Sequence, residues 1–432
     1  MLALLLLAAP VFADKWGLED KDAKFFERVR EVAAEGATVK RARAFREQYA
    51  KQPDPDLLRG LGWLVGDEKS SLDARRGAHI LLLVLSGADV KTPDPDIWFA
   101  HIERLAKNYV KPRPPSAGEV RAAIQLGAAW LYAELDTHGI LRQQRWHPRE
   151  KRKIDVPSIY DTAIAVVALH RCGVPRNDPL LKLTLITCAA MIDTPRYREQ
   201  RAVVYVGPEQ SRVNDALYRD YAMLVWALAE FEGELPNDAA KRILRWPQRH
   251  TTMHWDRHRG LLALRALQRR GEKFPLRSIA RIEKEMRRTL TQAKAEYDYI
   301  HWGLDGAILT SAIKLQRPKT TPEQLRSDAA IARHVPYVFK HGAVIASGHA
   351  WHLLTAATVR DDLQLRTLAA SKGRGNPYEK GVLHLIERQT PAGDWKPFAN
   401  DPPAHLTGPA LIFLAGETEY TATRAPKAQK PK

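Results

Sequence analysis

The chain has 432 residues, 45% of them hydrophobic, and carries 67 Lys and Arg against 50 Asp and Glu, a formal net charge of +17. Such length admits two or three average domains, and such charge points to nucleic acid, an anionic membrane surface or an acidic glycan as partner. The basic residues are scattered, as with Arg277, Arg281, Lys284, Arg287 and Arg288 on one solvated helical face, and no nucleic-acid motif of known spacing occurs, so no nucleic-acid partner is expected.

In chain order, residues Met1 to Ala13 form an apolar run ending in Val11-Phe12-Ala13, with small residues where a signal peptidase would cut, although no Lys or Arg precedes it. The run predicts a cleaved signal peptide and export to a periplasmic or extracellular setting. It is too short to span a bilayer, and no later segment of transmembrane length is free of charge, so no integral membrane segment is expected after cleavage.

Residues 14–75 read as an N-terminal helical segment, with amphipathic helices over Asp22 to Ala34 and Val39 to Tyr49. The doublets Pro53-Asp-Pro-Asp56 and Pro93-Asp-Pro-Asp96 punctuate the next stretch, and Lys111-Pro-Arg-Pro-Pro115 reads as a stiff connector. From there Ala-rich helices starting near Arg76, Asp161, Asp220, Arg259, Asp305, Gly348 and Leu406 alternate with more amphipathic ones over Glu119 to Leu135, Leu180 to Ile192, Pro275 to Leu290 and Pro322 to Val335. A helix apolar on most faces must be buried on most faces, and one with a single stripe packs outside it. Alternating strand patterns are hard to find, and the fold class expected is all-α. Cys172 and Cys188 fall about 10 Å or more out of register on neighbouring helices, which predicts two buried thiols and no disulfide. Residues 421–432 read as a basic, disordered tail.

Three segments share the pattern Asp-x-Ala-x4-Ala-[Leu/Ile]: Asp161 to Leu169, Asp220 to Leu228 and Asp305 to Ile313. Near the C-terminus stands Gln389-Thr-Pro-Ala-Gly393-Asp-Trp395, and Gly127, Leu131, Leu135, Gly139 and Leu141 repeat the spacing of Gly381, Leu385, Gln389, Gly393 and Trp395. The Gln-x3-Gly-x-Trp element resembles the QW motif of squalene-hopene and oxidosqualene cyclases, and the Asp-led segments are similar to inner-helix segments of that superfamily. The resemblance covers roughly Gly127 to Gly416. It implies an (α/α) toroid of the terpenoid-cyclase and protein-prenyltransferase type over residues 76–420, with six or seven helix pairs, and a structural role for Gln389, Gly393 and Trp395 in tying helix ends together.

The catalytic parts of those enzymes are missing from this sequence. No Asp-x-Asp-Asp occurs, Asp361-Asp362 lacks its upstream partner, neither cysteine sits in a zinc context, and a thioester motif is absent. No cofactor is expected. His250, His254 and His258 at i, i+4, i+8, and His349 and His352 at i, i+3, have metal-ligand spacing, but Pro247 and Gly260 interrupt the first set, and no metal is expected.

In a toroid the loops before the inner helices converge at one end of a central cavity. That geometry gathers Tyr160, Asp161, Arg219, Asp220, Tyr221, His258, Arg259, His301, Trp302, Asp305, His349, His352 and His405. Ser158 to Asp161 also reads as a capping box, and Asp220 and Asp305 as acidic residues at equivalent helix starts. Tyr and Trp faces stack on sugar rings and Arg pairs with uronate carboxylates. The expected role is therefore a binding cavity for an extended ligand, an acidic glycan or a protein. The enzymatic alternative is a lyase or glycoside hydrolase on acidic glycan, with His301 or His349 as base, Tyr221 or Tyr160 as acid, and Arg219 or Arg259 neutralising the carboxylate. A degenerate terpenoid-handling protein is the third class, and it lacks the acid that chemistry needs.

Overall fold

The computed structural model describes residues 14–109, 111, 115–147, 151–192, 209–249, 254–292, 299–332, 350–364, 377–397 and 402–423. Among these, helices dominate and one two-stranded antiparallel sheet is present. Two compact units divide the chain. One comprises Met1–Gly127, Val382–Asp394 and Glu417–Lys432, and the other Ala128–Gly381 and Trp395–Gly416. That division differs from a boundary at residue 75. The expected signal peptide and basic tail, apart from residues 421–423, lie outside the described residues, and among the described residues no helix is long and apolar enough to cross a membrane.

The first unit contains α1 (Ala23–Ala33), α2 (Val39–Tyr49), α3 (Pro55–Gly66), α4 (Leu72–Ser86), α5 (Pro95–Lys107) and the start of α6 (Ala117–Ala133). Its helix starts arise from local chemistry. Asp22, Thr38, Asp54, Ser71 and Asp94 each accept a hydrogen bond from a backbone N–H of the following turn, and Pro55 and Pro95 occupy first-turn positions where a missing N–H costs nothing. The Pro-Asp doublets thus open helices. α4 is the core of the unit, with Ile80 to Leu85 wholly buried, and it packs against α1, α2 and α3. α6 opens with a reciprocal pair, in which Ser116 N donates to Glu119 Oε2 at 2.8 Å and Glu119 N donates to Ser116 Oγ at 3.1 Å.

The second unit begins with a hairpin, β1 (Arg142–His147) paired with β2 (Arg152–Pro157) in the register Arg142 opposite Pro157 and His147 opposite Arg152. This sheet was not expected. Then come α7 (Ile159–Arg171), α8 (Pro179–Ile192), α9 (Glu209–Glu230), α10 (Ala239–Arg249), α11 (His254–Arg269), α12 (Arg277–Gln292), α13 (Tyr299–Gln316), α14 (Pro322–Ser327), α15 (Ala350–Leu363) and, up to Gly416, α17 (Ala404–Thr423), whereas α16 (Pro377–Arg388) belongs to the first unit from Val382 on. α7 packs on α9, α9 on α11, α11 on α13 and α13 on α15. Arg360 of α15 donates to Phe413 O of α17, and Gly408 of α17 faces Ile164 of α7 so closely that a Cβ would lie 2.8 Å from its Cγ2. These helices carry the buried runs Tyr160 to Leu169, Tyr221 to Ala229 and Leu406 to Ala415. α8, α10, α12 and α14 pack against them. α12 shows why it lies outside: Ile279, Met286 and Leu290 are buried, while Arg277, Arg281, Lys284 and Arg288 are exposed. Arg287 leaves that solvated face to pair with Glu283 and Asp328.

Several expectations need correction. α9, α11 and α13 begin before the residues taken as their starts, so Asp220, Arg259 and Asp305 lie inside helices and only Asp161 sits in a first turn. The helix expected from Pro322 to Val335 breaks at Asp328, beyond the end of α14. Cys172 and Cys188 are both thiols, Cys188 buried as expected but Cys172 only half-buried at the end of α7.

The two copies of the Gly-spaced element make the same turn. Asp136 N donates to Ile140 O and Thr390 N to Asp394 O, while Gly139 and Gly393 adopt positive φ of 70° and 104°. Two residues on, Leu141 N donates to Thr162 Oγ1 and Trp395 N to Thr407 Oγ1, and each threonine bonds back to a carbonyl four residues earlier. Gln389 donates from Nε2 to Gly393 O and to Ala123 O of α6, both at 2.8 Å. A threonine in the first turn of the next buried helix thereby receives the residue that leaves each turn, a partner that the spacing did not reveal.

Candidate functional site

Ser158 stands between the end of β2 and the start of α7, which places Tyr160 and Asp161 in the first turn of a buried helix directly behind the hairpin. They line a cavity of about 560 Å³ with Gln143 of β1, Arg219 and Asp220 of α9 and His405 of α17. That volume lies within the range of about 300–1,000 Å³ in which small-ligand clefts fall.

Asp161 is the hub. Its Oδ2 accepts from Ser158 Oγ at 2.5 Å, and its Oδ1 lies 2.8 Å from His405 Nδ1. The serine side chain makes no capping bond to the helix N–H groups, so the expected capping box is replaced by a bond to the carboxylate. Asp161 is 3% exposed, a burial a carboxylate tolerates because both oxygens are bonded and the helix N-terminus favours negative charge. A carboxylate offers acceptor oxygens and no donor, and in that form Asp161 accepts from both Ser158 Oγ and His405 Nδ1. His405 Nε2 then has no partner among the described residues, and the side chain retains 22% exposure.

The Tyr160 ring supports this arrangement. The His405 ring lies 5.2 Å away, the Arg219 guanidinium 5.0 Å and the Arg259 guanidinium 4.8 Å. Arg259 Nη2 donates to the Tyr160 hydroxyl at 3.1 Å, and Nη1 donates to Asp256 at 2.8 Å. Burial alone would lower the pKa of Arg259, but Tyr160 and Asp256 beside it outweigh burial and raise it. Tyr160 is 3% exposed, so its faces are filled by protein cations and not left for a sugar. Arg219 lies nearer solvent, 3.6 Å from Asp220.

The structure therefore brings together Tyr160, Asp161, Arg219, Asp220 and His405, with Arg259 behind them. It does not bring the rest. His258 is buried against Thr358 at 3.2 Å, and burial first, then Arg259 and Arg265, pushes its pKa down to about 3. Tyr221 is buried beside Arg242, and burial holds its phenol above the usual range, unlike a proton donor at a cavity. Asp305 and His352 are buried within α13 and α15 and are not among the residues lining this cavity. His301 and Trp302 lie in the first turn of α13, with side chains outside the described residues, and His349 lies wholly outside them. Of the spaced histidines His250 is also outside, and among the described residues no group of three or more His, Cys, Asp or Glu forms a metal site. Asp256 and Gln143 were not expected here, and Ser158 was expected only as a helix cap. The alternation in Lys153-Ile-Asp-Val156 was the one signal for the hairpin that carries Gln143 to the cavity.

The order Ser158, Asp161, His405 differs from a nucleophile triad, because the carboxylate and not the imidazole stands in the middle. What the arrangement offers is an oriented imidazole, an arginine near solvent and an acceptor carboxylate around one cavity. No protein-family model and no curated protein matches this chain.

Proposed function

We propose that the second unit is an (α/α) toroid and that the cavity at Asp161 binds an acidic sugar residue of an extended glycan. The toroid reading is supported by the succession of contacts from α7 through α9, α11, α13, α15 and α17 back to α7. It is also supported by a second cavity of about 140 Å³ lined jointly by residues of α7, α9, α11, α15 and α17, as helices around a common axis would produce. The matching turns at Gly139 and Gly393 agree with a repeated unit of the terpenoid-cyclase and prenyltransferase type. Export through a signal peptide at Met1 to Ala13 belongs to the same proposal and sets the protein where acidic glycans occur.

One observation carries the ligand class: Arg219 is held over Tyr160 at the cavity, where it can meet a carboxylate. Gln143, Asp220 and His405 around it suit the hydroxyls of a sugar, and this polar lining disfavours a terpenoid. Titration calorimetry with oligogalacturonate, set against a neutral cello-oligosaccharide, tests the reading. Arg219→Ala is expected to weaken oligogalacturonate binding about tenfold or more, the loss of a hydrogen bond to a charged group worth roughly 1.5–3 kcal/mol. Equal binding of the neutral oligosaccharide, or indifference to Arg219→Ala, refutes it.

A further inference from the structure

We infer that the Asp161–His405 pair makes this cavity a site of β-elimination on a bound uronate, with His405 as the base, an inference that rests on the acidic-glycan reading above. The hydrogen bonds narrow the chemistry. Asp161 spends one oxygen on His405 Nδ1 at 2.8 Å and the other on Ser158 at 2.5 Å, so it holds the imidazole in the tautomer whose Nε2 accepts a proton. Ser158 is bonded to the carboxylate and not to the imidazole, and is therefore not an activated nucleophile. Glycoside hydrolysis uses two carboxyl groups facing the scissile bond. Asp161 is engaged on both oxygens, which leaves Asp220, itself 3.6 Å from Arg219.

Elimination asks for less. The hydrogen on C5 of a uronate lies next to the carboxylate, and its removal builds negative charge on the carboxylate oxygens. Arg219 is the cation for that charge. His405 Nε2 takes the C5 proton, the C–H electron pair becomes the C4=C5 double bond, and the C4–O bond breaks with its electrons left on the glycosidic oxygen. That oxygen takes the proton back from the His405 imidazolium. The base is regenerated without any co-reactant, and the products are a chain ending in an unsaturated uronate and a chain ending in a free hydroxyl. Asp161 acts as a positioning residue, stabilising the imidazolium between the two proton transfers.

The test uses the full chain with polygalacturonate, alginate, hyaluronan and heparin, following ultraviolet absorbance of the double bond conjugated to the carboxylate while calorimetry records binding separately. Absorbance is expected to rise with at least one polymer. His405→Gln should slow that rise by roughly 10²–10⁴-fold, far more than it weakens the Kd for the same polymer. Asp161→Asn should lower kcat more than it changes KM and should alter the pH–rate profile, which a merely structural residue would not do. Binding without any absorbance change overturns the inference and leaves the binding site standing, whereas absence of binding overturns both. Full elimination by the His405→Gln protein overturns it as well. Circular dichroism checks that this variant folds, and if it does not, an unchanged pH–rate profile in Asp161→Asn decides against the mechanism.

Discussion

His405 Nδ1 lies 2.8 Å from Asp161 Oδ1, joining the first turns of two buried helices across 244 residues of sequence. The contact does structural work as well as orienting a ring. With Ser158 on its other oxygen, Asp161 satisfies two side chains at once inside the second unit.

Asp161→Ala is therefore expected to destabilise the protein by about 2–3 kcal/mol, since hydrogen bonds to a charged group are lost and a buried hydroxyl is left unpaired. Urea denaturation measures it. A change below about 0.5 kcal/mol would mean that the carboxylate is not the hub described.

Glu119 gives a larger prediction in the first unit. Its carboxylate is wholly buried and lies 2.8 Å from Arg43 Nε and 3.2 Å from Arg46 Nη1, with Arg46 itself 1% exposed. Glu119→Ala leaves a buried guanidinium without its main counter-charge and is expected to cost roughly 3–5 kcal/mol. Glu47 pairs with Lys111 at the surface, and Glu47→Gln should cost less than about 1 kcal/mol. Comparable losses in the two variants would contradict this account.

How far these features could be read from the sequence varies in a physically intelligible way. The buried helices announced themselves because Ala163 to Leu169 and Tyr221 to Ala229 are apolar all round, and periodicity reports burial directly. The Gly-spaced turns were legible because positive φ at Gly139 and Gly393 selects glycine. The hairpin was not, since Arg142-Gln-Gln-Arg145 carries no β-branched residue and its pairing depends on a partner strand. Nor was the role of His405. A helical pattern fixes the phase of a side chain around its own axis but says nothing of which distant carboxylate it will meet. Tyr221 and His258 failed as site residues for that reason, as their neighbours Asp220 and Arg259 turn toward the Asp161 cluster while they turn into the core.

Gly36 and Gly77 permit two backbones to touch. A Cβ on Gly36 would lie 1.9 Å from Gly77 O, and one on Gly77 would lie 2.3 Å from Ala33 O. Backbone atoms cannot swing aside as a side-chain end can, so Gly36→Ala should cost about 1–3 kcal/mol or more from forced displacement of α4. Thermal unfolding reads this out, with Gly173→Ala as contrast: nothing lies within 4 Å of its Cβ, and only its φ of 101° opposes the change.

Gln389 ties α16 to α6 through Ala123 O while also closing its own turn at Gly393 O. Gln389→Leu keeps comparable bulk but leaves two carbonyls without that donor, at an expected cost of about 1–3 kcal/mol. Loss of the tie should also raise proteolytic cleavage around Thr390 to Asp394. A fully stable, protease-resistant Gln389→Leu protein would show that the glutamine serves something other than this turn.

His79 supplies a pH dependence whose sign can be worked out. Trp98 Nε1 donates to His79 Nδ1 at 2.8 Å in the core of the first unit, and burial foremost, with Arg121 nearby, pushes the imidazole pKa down to about 4. An unfolded histidine titrates near about 6.5. Because the folded value is the lower one, the unfolded chain binds more protons between the two, and stability rises with pH across that window. The contribution is fully present above about pH 6.5 and declines by about 1.4 kcal/mol per pH unit on acidification toward about pH 4. His258, pushed down to about 3 by its burial, adds a parallel loss in the second unit. His79→Gln cannot take up a proton in either state, so urea denaturation between about pH 4.5 and pH 7 should show a shallower slope than the parent protein. A slope that the substitution leaves unchanged would mean that His79 is protonated in the folded core, which the hydrogen bond from Trp98 forbids.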